Sequence, residues 1–266
     1  MTSRLRVALV GWGAINRTVA KLVADHQIDI VAVGVRSLDG ERSGLPDGTQ
    51  LVTSPSQLAE LDISLVAEAA GRESVDPWGH ATLRNGSDFI VSSVSALADD
   101  ALLSSLRQTA EKSGARLHIQ TGALGGIDAL AGAKLMGIDH VEHRIVKPPL
   151  AWTGTPAEEL CDLMALEERT VFFHDTASAT ASAFPKNANV AMTTALAGIG
   201  PEKTQITLIA DPSATANTHE IHADGAFGSL DVSISNNPLP DNPKSSAMAA
   251  LNLARAIRSR TDTIVI

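Results

Sequence analysis

The sequence predicts an α/β protein in which a Rossmann-type doubly wound parallel sheet is joined to a second, smaller α+β domain. In the first half, short apolar runs alternate five times with helical stretches, which is typical of parallel strands joined by right-handed crossovers. A pair of glycines follows the first apolar run directly. After about residue 121, several strands come in succession and the helices are grouped elsewhere, which indicates an α+β unit.

Each element of the first half is predicted from its local pattern. Runs rich in Val and Ile predict strands that are buried on both faces, as in a parallel sheet covered by helices. Apolar residues at helical spacing predict helices, and Asn-Gly or a single Gly marks where they end. The predicted elements are strands Leu5–Val10, Ile28–Val35, Ile63–Ala69, Asp88–Ser93 and Arg116–Gln120, a helix after the first strand, and helices Pro77–Arg84 and Asp99–Ser113.

The second half is predicted in the same way. The last segment, Ser245–Arg260, reads as a helix with Asn242-Pro243 as its cap and first turn. DP, DG and NNP turns separate the late strands. The remaining predicted elements are a glycine turn and helix over 122–137, helices Ala157–Glu168 and Asn189–Ala197, and strands Val141–Lys147, Gln205–Ala210, Thr218–His222 and Ser229–Ser235.

Composition and charge exclude several classes of protein. The 266 residues carry a net charge of −9, which argues against nucleic acid or an anionic membrane as a partner. The chain has no tyrosine, so a dehydrogenase mechanism with a tyrosine acid is excluded. The lone Cys161 cannot form an internal disulfide, and we expect a cytoplasmic protein. No apolar stretch approaches the ~18–20 residues of a membrane-spanning helix.

The segment VALVGWGAIN predicts a phosphate-binding loop. Gly11 permits a tight turn after the strand, and Gly13 lets the backbone approach a pyrophosphate. Ala14 and Ile15 open the following helix, whose unpaired N–H groups favour an anion. Asn16 stands where the third glycine of the fingerprint is expected, which weakens the motif. We predict a dinucleotide site, with residues 1–120 as the dinucleotide-binding domain, 241–266 packing back on it, and 121–240 as the substrate domain.

Arg36 suggests which dinucleotide is accepted. An acid usually ends the second strand, ~20 residues after the glycines, and binds the ribose 2′-hydroxyl. Here the strand ends in Val35-Arg36-Ser37. Because an arginine can bind a 2′-phosphate or stack on adenine, we predict that NADP is accepted beside NAD. The alternative is that Arg36 is simply solvated.

One of the eight histidines stands out as a candidate acid or base. His219 follows a polar turn and begins a strand, so we expect an exposed imidazole with its ordinary pKa of ~6.5. The HxxH pairs do not predict a metal site, since residues three apart in a strand point to opposite faces. The histidines predicted to be surface or structural, without an identified partner, are His26, His80, His118, His140, His143 and His174.

Two further segments point to a ligand at the sheet edge. Asn187 and Asn189 lie at a predicted helix start, where one cap explains only one asparagine. Gly122, Ala123 and Gly125 follow the fifth strand, where backbone can approach a flat ligand.

Together these segments resemble the L-aspartate dehydrogenase family. The segments that carry the resemblance are GWGAIN, SSVSALAD, TGALGGIDAL, KPPLAW, FPKNANVAMTTALAG, ADPSATANTHEI and NNPLPDNPKSS, in the expected order over nearly the whole chain. The resemblance implies NAD(P)-dependent oxidation of L-aspartate to iminoaspartate. The imine then feeds quinolinate and NAD biosynthesis or hydrolyses to oxaloacetate and ammonia. It also implies that His219 is the catalytic histidine and that Ala123 and Asn189 contact the nicotinamide side of the cofactor.

Such a reaction needs cations for two substrate carboxylates. The candidates are Lys147, Lys186 and Arg144, with Asn217 as a further substrate-binding candidate. Asn217 or a nearby backbone group is also expected to orient His219. We expect a homodimer. The alternatives are another two-domain NAD(P)-dependent reductase, similar to dihydrodipicolinate reductase or homoserine dehydrogenase, and a non-catalytic dinucleotide sensor.

Overall fold

A computed structural model describes residues 4–40 and 42–266. The chain forms two compact units: unit 1 is Met1–Gly122 with Pro238–Ile266, and unit 2 is Ala123–Asn237. The division predicted after residues 120 and 240 lies close to these boundaries.

The elements of unit 1 before unit 2 begins are β1 (Leu5–Val10), α1 (Ala14–Val23), β2 (Ile28–Gly34), β3 (Gln50–Val52), β4 (Leu65–Glu68), α2 (Arg72–Arg84), β5 (Asp88–Val91), α3 (Asp100–Ser113) and β6 (Leu117–Ile119). Unit 2 contains α4 (Ile127–Ala133), β7 (Ile138–Lys147), α5 (Ala157–Leu160), β8 (Thr170–Thr176), α6 (Ala177–Ala183), α7 (Ala188–Ala197), β9 (Gln205–Ala210), β10 (Asn217–Gly225) and β11 (Gly228–Asn236). The chain returns to unit 1 with β12 (Pro238–Leu239), β13 (Asn242–Ser246) and α8 (Ala247–Arg258).

Unit 1 is built on a parallel sheet. Across its described residues, six strands lie in the order β3-β2-β1-β4-β5-β6, and each neighbouring pair is parallel. This is the doubly wound order in which ligands bind beside the carboxyl ends of β1 and β4. The predicted fold class is confirmed.

The helices of unit 1 bury their apolar sides against this sheet. Val7 and Leu9 of β1, Val19 of α1, and Leu253 and Ile257 of α8 belong to one buried cluster. The C-terminal helix is therefore part of the unit 1 core. In the described chain, no helix combines the length and the apolar character that a membrane crossing requires.

Unit 2 is built on a mixed sheet. Among its described residues, five strands lie in the order β11-β10-β7-β9-β8, with only β7 and β9 parallel to each other. Residues of β7 and β10 alternate between a buried and a more exposed face. The buried face of β7 carries Val141, His143 and Ile145, and that of β10 carries His219 and Ile221.

The helix predicted over Ala157–Glu168 is wrong for most of its length. The structure has only α5, and Cys161 is extended, with φ −155° and ψ 155°. The Asp162 carboxylate accepts a hydrogen bond from the Met164 backbone N–H at 3.2 Å. Such a local turn offers the backbone an alternative to the helix, which explains why the helix stops.

The start predicted for the last helix is also wrong. Residues Asn242–Ser246 form β13, which pairs with β12 as a short hairpin. The cap of α8 is Ser246, whose hydroxyl accepts from the Met248 backbone N–H at 3.1 Å. The proline-flanked segment therefore turns as a hairpin before the helix begins.

Candidate functional site

The loop between β1 and α1 is shaped by Gly11. Its φ of +89° is unfavourable for other residues, and a Cβ there would lie 2.9 Å from the Ala70 Cβ. Its N–H donates to the Gly34 carbonyl at 2.8 Å, which holds the turn against β2. Only glycine fits this position.

The N-terminus of α1 is open to an anion. Gly13 is its N-cap, no side chain caps it, and its first turn contains no acidic residue. A Cβ on Gly13 would meet nothing within 4 Å, so space remains beside the backbone. The N–H groups of Ala14 and Ile15 lie in this first turn, where an uncapped helix favours negative charge.

Asn16 strengthens the loop, although the sequence pattern suggested a weakened motif. Its side chain is fully buried, and Nδ2 donates to the carbonyls of Val10 at 2.9 Å and Gly11 at 2.8 Å. The amide thus ties the helix to the turn. A packing glycine could not make these bonds, and the glycine pattern of the sequence does not reveal them.

A cleft of about 910 Å³ surrounds this loop in unit 1. Its wall includes the exposed guanidinium of Arg36, and also Arg42 and Arg72. Arg42 donates to the backbone carbonyls of its own loop, which leaves Arg36 as the better candidate for a ligand phosphate. The glycine cradle, the helix N-terminus and the arginines fit a dinucleotide.

Glu68 organises the loops at the end of β4. This carboxylate is fully buried and accepts from the backbone N–H groups of Ala70, Gly71 and Ser93 at 2.7, 2.9 and 3.0 Å. The hydroxyls of Ser74 and Ser93 donate to it as well. The signal for this role in the sequence is an acid at the end of an apolar strand, which was not among the predicted site residues.

In unit 2, His219 lies against a second histidine. The prediction of an exposed imidazole is wrong, because His219 is only 5% exposed. Its Nδ1 lies 3.1 Å from Nε2 of His143, which is fully buried. The predicted orienting group, Asn217, is exposed at the start of β10, so His143 takes the place expected for it.

His143 in turn contacts a threonine of α7. The Thr194 hydroxyl oxygen lies 2.9 Å from His143 Nδ1 and 3.2 Å from the Val190 carbonyl oxygen. Thr194 is fully buried. His143 was predicted to be surface or structural without an identified partner, and the structure corrects this because both of its ring nitrogens are engaged.

Burial keeps both rings neutral. Removal from water, and secondly the charge of Lys147, lower the pKa of His219 from 6.5 to about 3. Burial, and secondly His219, lower the pKa of His143 well below its ordinary value. A neutral imidazole has one N–H and one lone pair, so His219 can accept a proton at neutral pH.

Lys147 supplies a cation beside these rings. Its Nζ donates to Asn187 Oδ1 and lies 4.5 Å from the centre of the Trp152 ring. Burial, and secondly the charge of Lys186, lower its pKa from 10.5 to about 8. Lys147 is therefore largely charged at pH 7 and poorly compensated, which suits the binding of a carboxylate.

The other predicted carboxylate ligands lie in different settings. Lys186 is exposed, and its Nζ donates to the Gly154 carbonyl at 3.0 Å. Arg144 is exposed and pairs with Glu142 at 2.7 Å, on the opposite face of β7 from Lys147. Arg144 is thus an ion pair of the outer face and not part of the His219 cluster.

The two residues predicted beside the nicotinamide both belong to unit 2. The carbonyl of Ala123 accepts from Asn236 Nδ2 at 3.1 Å, which fixes the backbone after the glycine turn. Asn189 lies exposed in the first turn of α7, and its carbonyl accepts from the Thr193 hydroxyl at 2.9 Å.

The HxxH pairs are matched across strands. His140 and His222 lie with ring centres 6.3 Å apart, whereas His143 contacts His219. The residues described by the structure contain no group of three or more His, Cys, Asp or Glu that could hold a metal ion. The other histidines contact Asp262 (His26), Asp76 and Ser105 (His80), Asp88 and Arg260 (His118), and Thr207 (His174).

Family models of known proteins match both parts of the chain. The family model for the C-terminal part of aspartate dehydrogenase matches residues 128–260. The model for the NAD-binding domain of homoserine dehydrogenase matches residues 11–120. The homoserine dehydrogenase structure from Thiobacillus denitrificans is 13% identical, with a TM-score of 0.62 over 97% of this chain and 74% of that chain, which shows a shared fold.

Two relatives and one solved structure match this chain over nearly their whole length. The L-aspartate dehydrogenase of Brucella anthropi is 54% identical over 262 residues, 98% of each chain. That of Cupriavidus taiwanensis is 38% identical over 265 residues, covering 98% of this chain and 100% of the relative. The crystal structure of aspartate dehydrogenase from Thermotoga maritima is 27% identical, with a TM-score of 0.78 over 98% of this chain and 99% of that chain. The chain belongs to the aspartate dehydrogenase family.

Proposed function

We propose that the protein is an NAD(P)-dependent L-aspartate dehydrogenase that oxidises L-aspartate to iminoaspartate. The observation that carries the proposal is the buried, neutral His219 beside the cationic Lys147, within the region matched by the aspartate dehydrogenase model. The imine then hydrolyses to oxaloacetate and ammonia or enters NAD biosynthesis.

In this proposal unit 1 holds the dinucleotide. The backbone at Gly11 and Gly13 and the first N–H groups of α1, at Ala14 and Ile15, bind the pyrophosphate. Arg36 accepts the 2′-phosphate of NADP, so both NAD and NADP bind. When bound, the nicotinamide accepts a hydride from the substrate α-carbon.

His219 is the proposed base. The ammonium of aspartate must lose a proton before its nitrogen can support loss of hydride from the α-carbon. Neutral His219 accepts that proton, releases it to solvent, and then as a neutral base again activates the water that attacks the imine. His143, which contacts its Nδ1, holds the ring in place.

The remaining residues orient the two reactants. Lys147 binds one substrate carboxylate, because its buried charge lacks an anionic partner in the contacts described above. We assign Lys186 and Asn217 to the rest of the substrate. Ala123 and Asn189 hold the nicotinamide carboxamide and ribose, which fixes the face that receives hydride.

We further infer that the enzyme is a cytoplasmic homodimer. The unpaired Cys161 supports a reducing compartment. Exposed apolar side chains of unit 2 support subunit contacts. These side chains are Leu150, Leu160, Met164 and Val171. Light scattering tests the dimer, and cell fractionation tests the compartment.

The function is tested by steady-state kinetics in both directions. We expect reduction of NAD and NADP with L-aspartate, and their oxidation with oxaloacetate and ammonia. Homoserine is tested as a competing substrate, and so are 2-keto acids other than oxaloacetate in the presence of ammonia. Preference for homoserine would favour a homoserine-type reductase, and tight cofactor binding without turnover of any amino acid would favour a sensor.

Replacement of His219 by alanine tests its role as the base. We expect His219→Ala to lower kcat by ~10²–10⁴-fold, the range for a positioned acid or base, with little change in cofactor affinity. His222→Ala is the matched control, because His222 lies on the same strand, is only partly buried and pairs with Asp231. Near-normal turnover of His219→Ala would remove His219 from the mechanism.

A further inference from the structure

A buried chain of three side chains ends at His219. Thr194 contacts His143 at 2.9 Å, and His143 contacts His219 at 3.1 Å. The exposed fractions of the three residues are 0%, 0% and 5%. The two rings meet edge to face, with centres 5.2 Å apart and planes at 63°. Contacts of this kind fix where each proton lies, because every hydrogen bond needs one donor and one acceptor.

The proton count allows two arrangements. The Thr194 hydroxyl has one hydrogen, which goes either to the Val190 carbonyl or to His143 Nδ1. If it goes to Val190, then His143 Nδ1–H donates to Thr194, and His219 Nδ1–H donates to His143 Nε2. The lone pair of His219 then lies on Nε2. If the hydroxyl donates to His143 instead, the whole chain reverses and His219 Nε2 carries a hydrogen.

We propose that Thr194 and His143 are positioning residues that hold His219 in the tautomer protonated at Nδ1, so that its Nε2 lone pair accepts the proton of the substrate ammonium. This inference rests on the proposed function and adds the groups that direct the base. An N–H bond of the ammonium breaks and leaves its electron pair on nitrogen, while the Nε2 lone pair forms the new N–H bond. Only the first arrangement leaves His219 an acceptor atom.

The same arrangement suits the protonated product of that step. Once His219 carries a second proton, its Nδ1–H still donates to neutral His143 Nε2, and a hydrogen bond from a charged donor is stronger. The hydroxyl proton keeps its bond to the Val190 carbonyl throughout. Lys147 is the charged group acting on His219, and it disfavours the imidazolium until an anionic ligand compensates it.

Nitrogen NMR of the free protein tests the tautomer without any turnover. With ¹⁵N-labelled histidine at pH 7, we expect the His219 signals to show a protonated Nδ1 and an unprotonated Nε2. Loss of these signals in His219→Asn assigns them. A His219 protonated at Nε2 in the wild-type free protein would overturn the proposal, whatever the kinetics show.

Thr194 variants test the origin of this preference. We expect Thr194→Val to move His219 toward the Nε2–H tautomer, and Thr194→Ser to retain the wild-type signals. The matched control is Thr180→Val, since Thr180 is a buried threonine of α6 with the same type of bond, to the Thr176 carbonyl at 2.8 Å. Unchanged tautomers in Thr194→Val would overturn the proposal.

Steady-state kinetics then distinguish a positioning role of Thr194 from a purely structural one. We expect Thr194→Val to lower kcat roughly 10–100-fold, part of the ~10²–10⁴-fold of acid–base catalysis, with KM for aspartate within about twofold. Thr194→Ser should restore kcat, and Thr180→Val should leave it unchanged. If the wild-type protein shows the Nδ1–H tautomer but does not oxidise aspartate, the proposed function fails while the tautomer assignment is supported.

Discussion

The ammonium group of Lys147 acts on the imidazole of His219 and, after burial, is the second cause that lowers its pKa to about 3. The pKa of Lys147 itself is lowered to about 8 by burial and by the charge of Lys186. Both shifts oppose positive charge in this cluster. A ligand with two carboxylates reverses them, because nearby anions stabilise the cationic forms. The free cluster is therefore suited to a dianionic ligand.

Lys147 makes ligand binding depend on pH. Succinate has two carboxylates and no amino group, so its affinity reports the site and not the substrate ammonium. Because the free lysine loses its proton above about pH 8, we expect the inhibition constant of succinate to rise roughly tenfold per pH unit above that value.

Two variants control the succinate experiment. Lys147→Arg keeps its charge at every accessible pH, so the alkaline loss of affinity should disappear. Lys147→Met should bind succinate weakly throughout. A wild-type inhibition constant that stays constant from pH 7 to beyond pH 9 would show that Lys147 does not contact the carboxylates.

The same buried histidines make folding stability depend on pH. Unfolded histidine binds a proton near pH 6.5, whereas folded His219 stays neutral until about pH 3. The unfolded state thus binds more protons between these values, and the free energy of unfolding falls as the pH is lowered through this window. We expect urea denaturation at pH 7 and pH 5 to show a smaller loss for His219→Asn than for the wild type.

His222 affects the pH dependence of folding stability in the opposite direction to His219. Its pKa is raised mainly by the hydrogen bond from its ring to Asp231, so its contribution to stability is present at low pH and lost as the pH rises. His222→Asn should therefore lose more stability than the wild type on going from pH 7 to pH 5. If the wild type and His219→Asn lost the same free energy of unfolding between pH 7 and pH 5, this would contradict the burial effect assigned to His219.

The phosphate loop could be predicted from sequence because its parts are neighbours in the chain. Gly11, Gly13 and the first turn of α1 lie within a few residues, and their roles follow from backbone conformation. The contribution of Asn16 could not be predicted in this way, since a packing position does not specify where a longer side chain turns. Its two bonds to carbonyls depend on how the folded backbone of the loop places the Val10 and Gly11 oxygens.

The histidine pair depends on strand register. His143 and His219 are 76 positions apart and meet because β7 and β10 are antiparallel neighbours that pair Ile145 with His219. Alternation along one strand correctly separates His219 from His222, but it carries no information about the facing strand. The pattern also gave no strand for Thr170–Thr176, because apolar and polar residues do not alternate regularly there.

Arg36 should decide how well NADP is used relative to NAD. An aspartate in its place would repel the 2′-phosphate, which NAD lacks. We expect Arg36→Asp to raise KM for NADP far more than KM for NAD in steady-state assays. Arg107→Asp makes the same charge change on the exposed side of α3 and should alter neither constant. Equal effects of Arg36→Asp on both cofactors would remove Arg36 from cofactor selection.

Asn16 should affect both cofactors equally, in contrast to Arg36. Asn16→Ala removes two hydrogen bonds that tie helix α1 to the phosphate loop. Each such bond contributes about 0.5–1.5 kcal/mol to stability. We expect KM for NAD and for NADP to rise by the same factor, roughly tenfold, because the pyrophosphate is common to both. Thr18→Val removes one bond on the same helix, to the Ala14 carbonyl, and should leave both constants near wild type. A change confined to NADP would show that Asn16 acts on the 2′-phosphate and not on the loop.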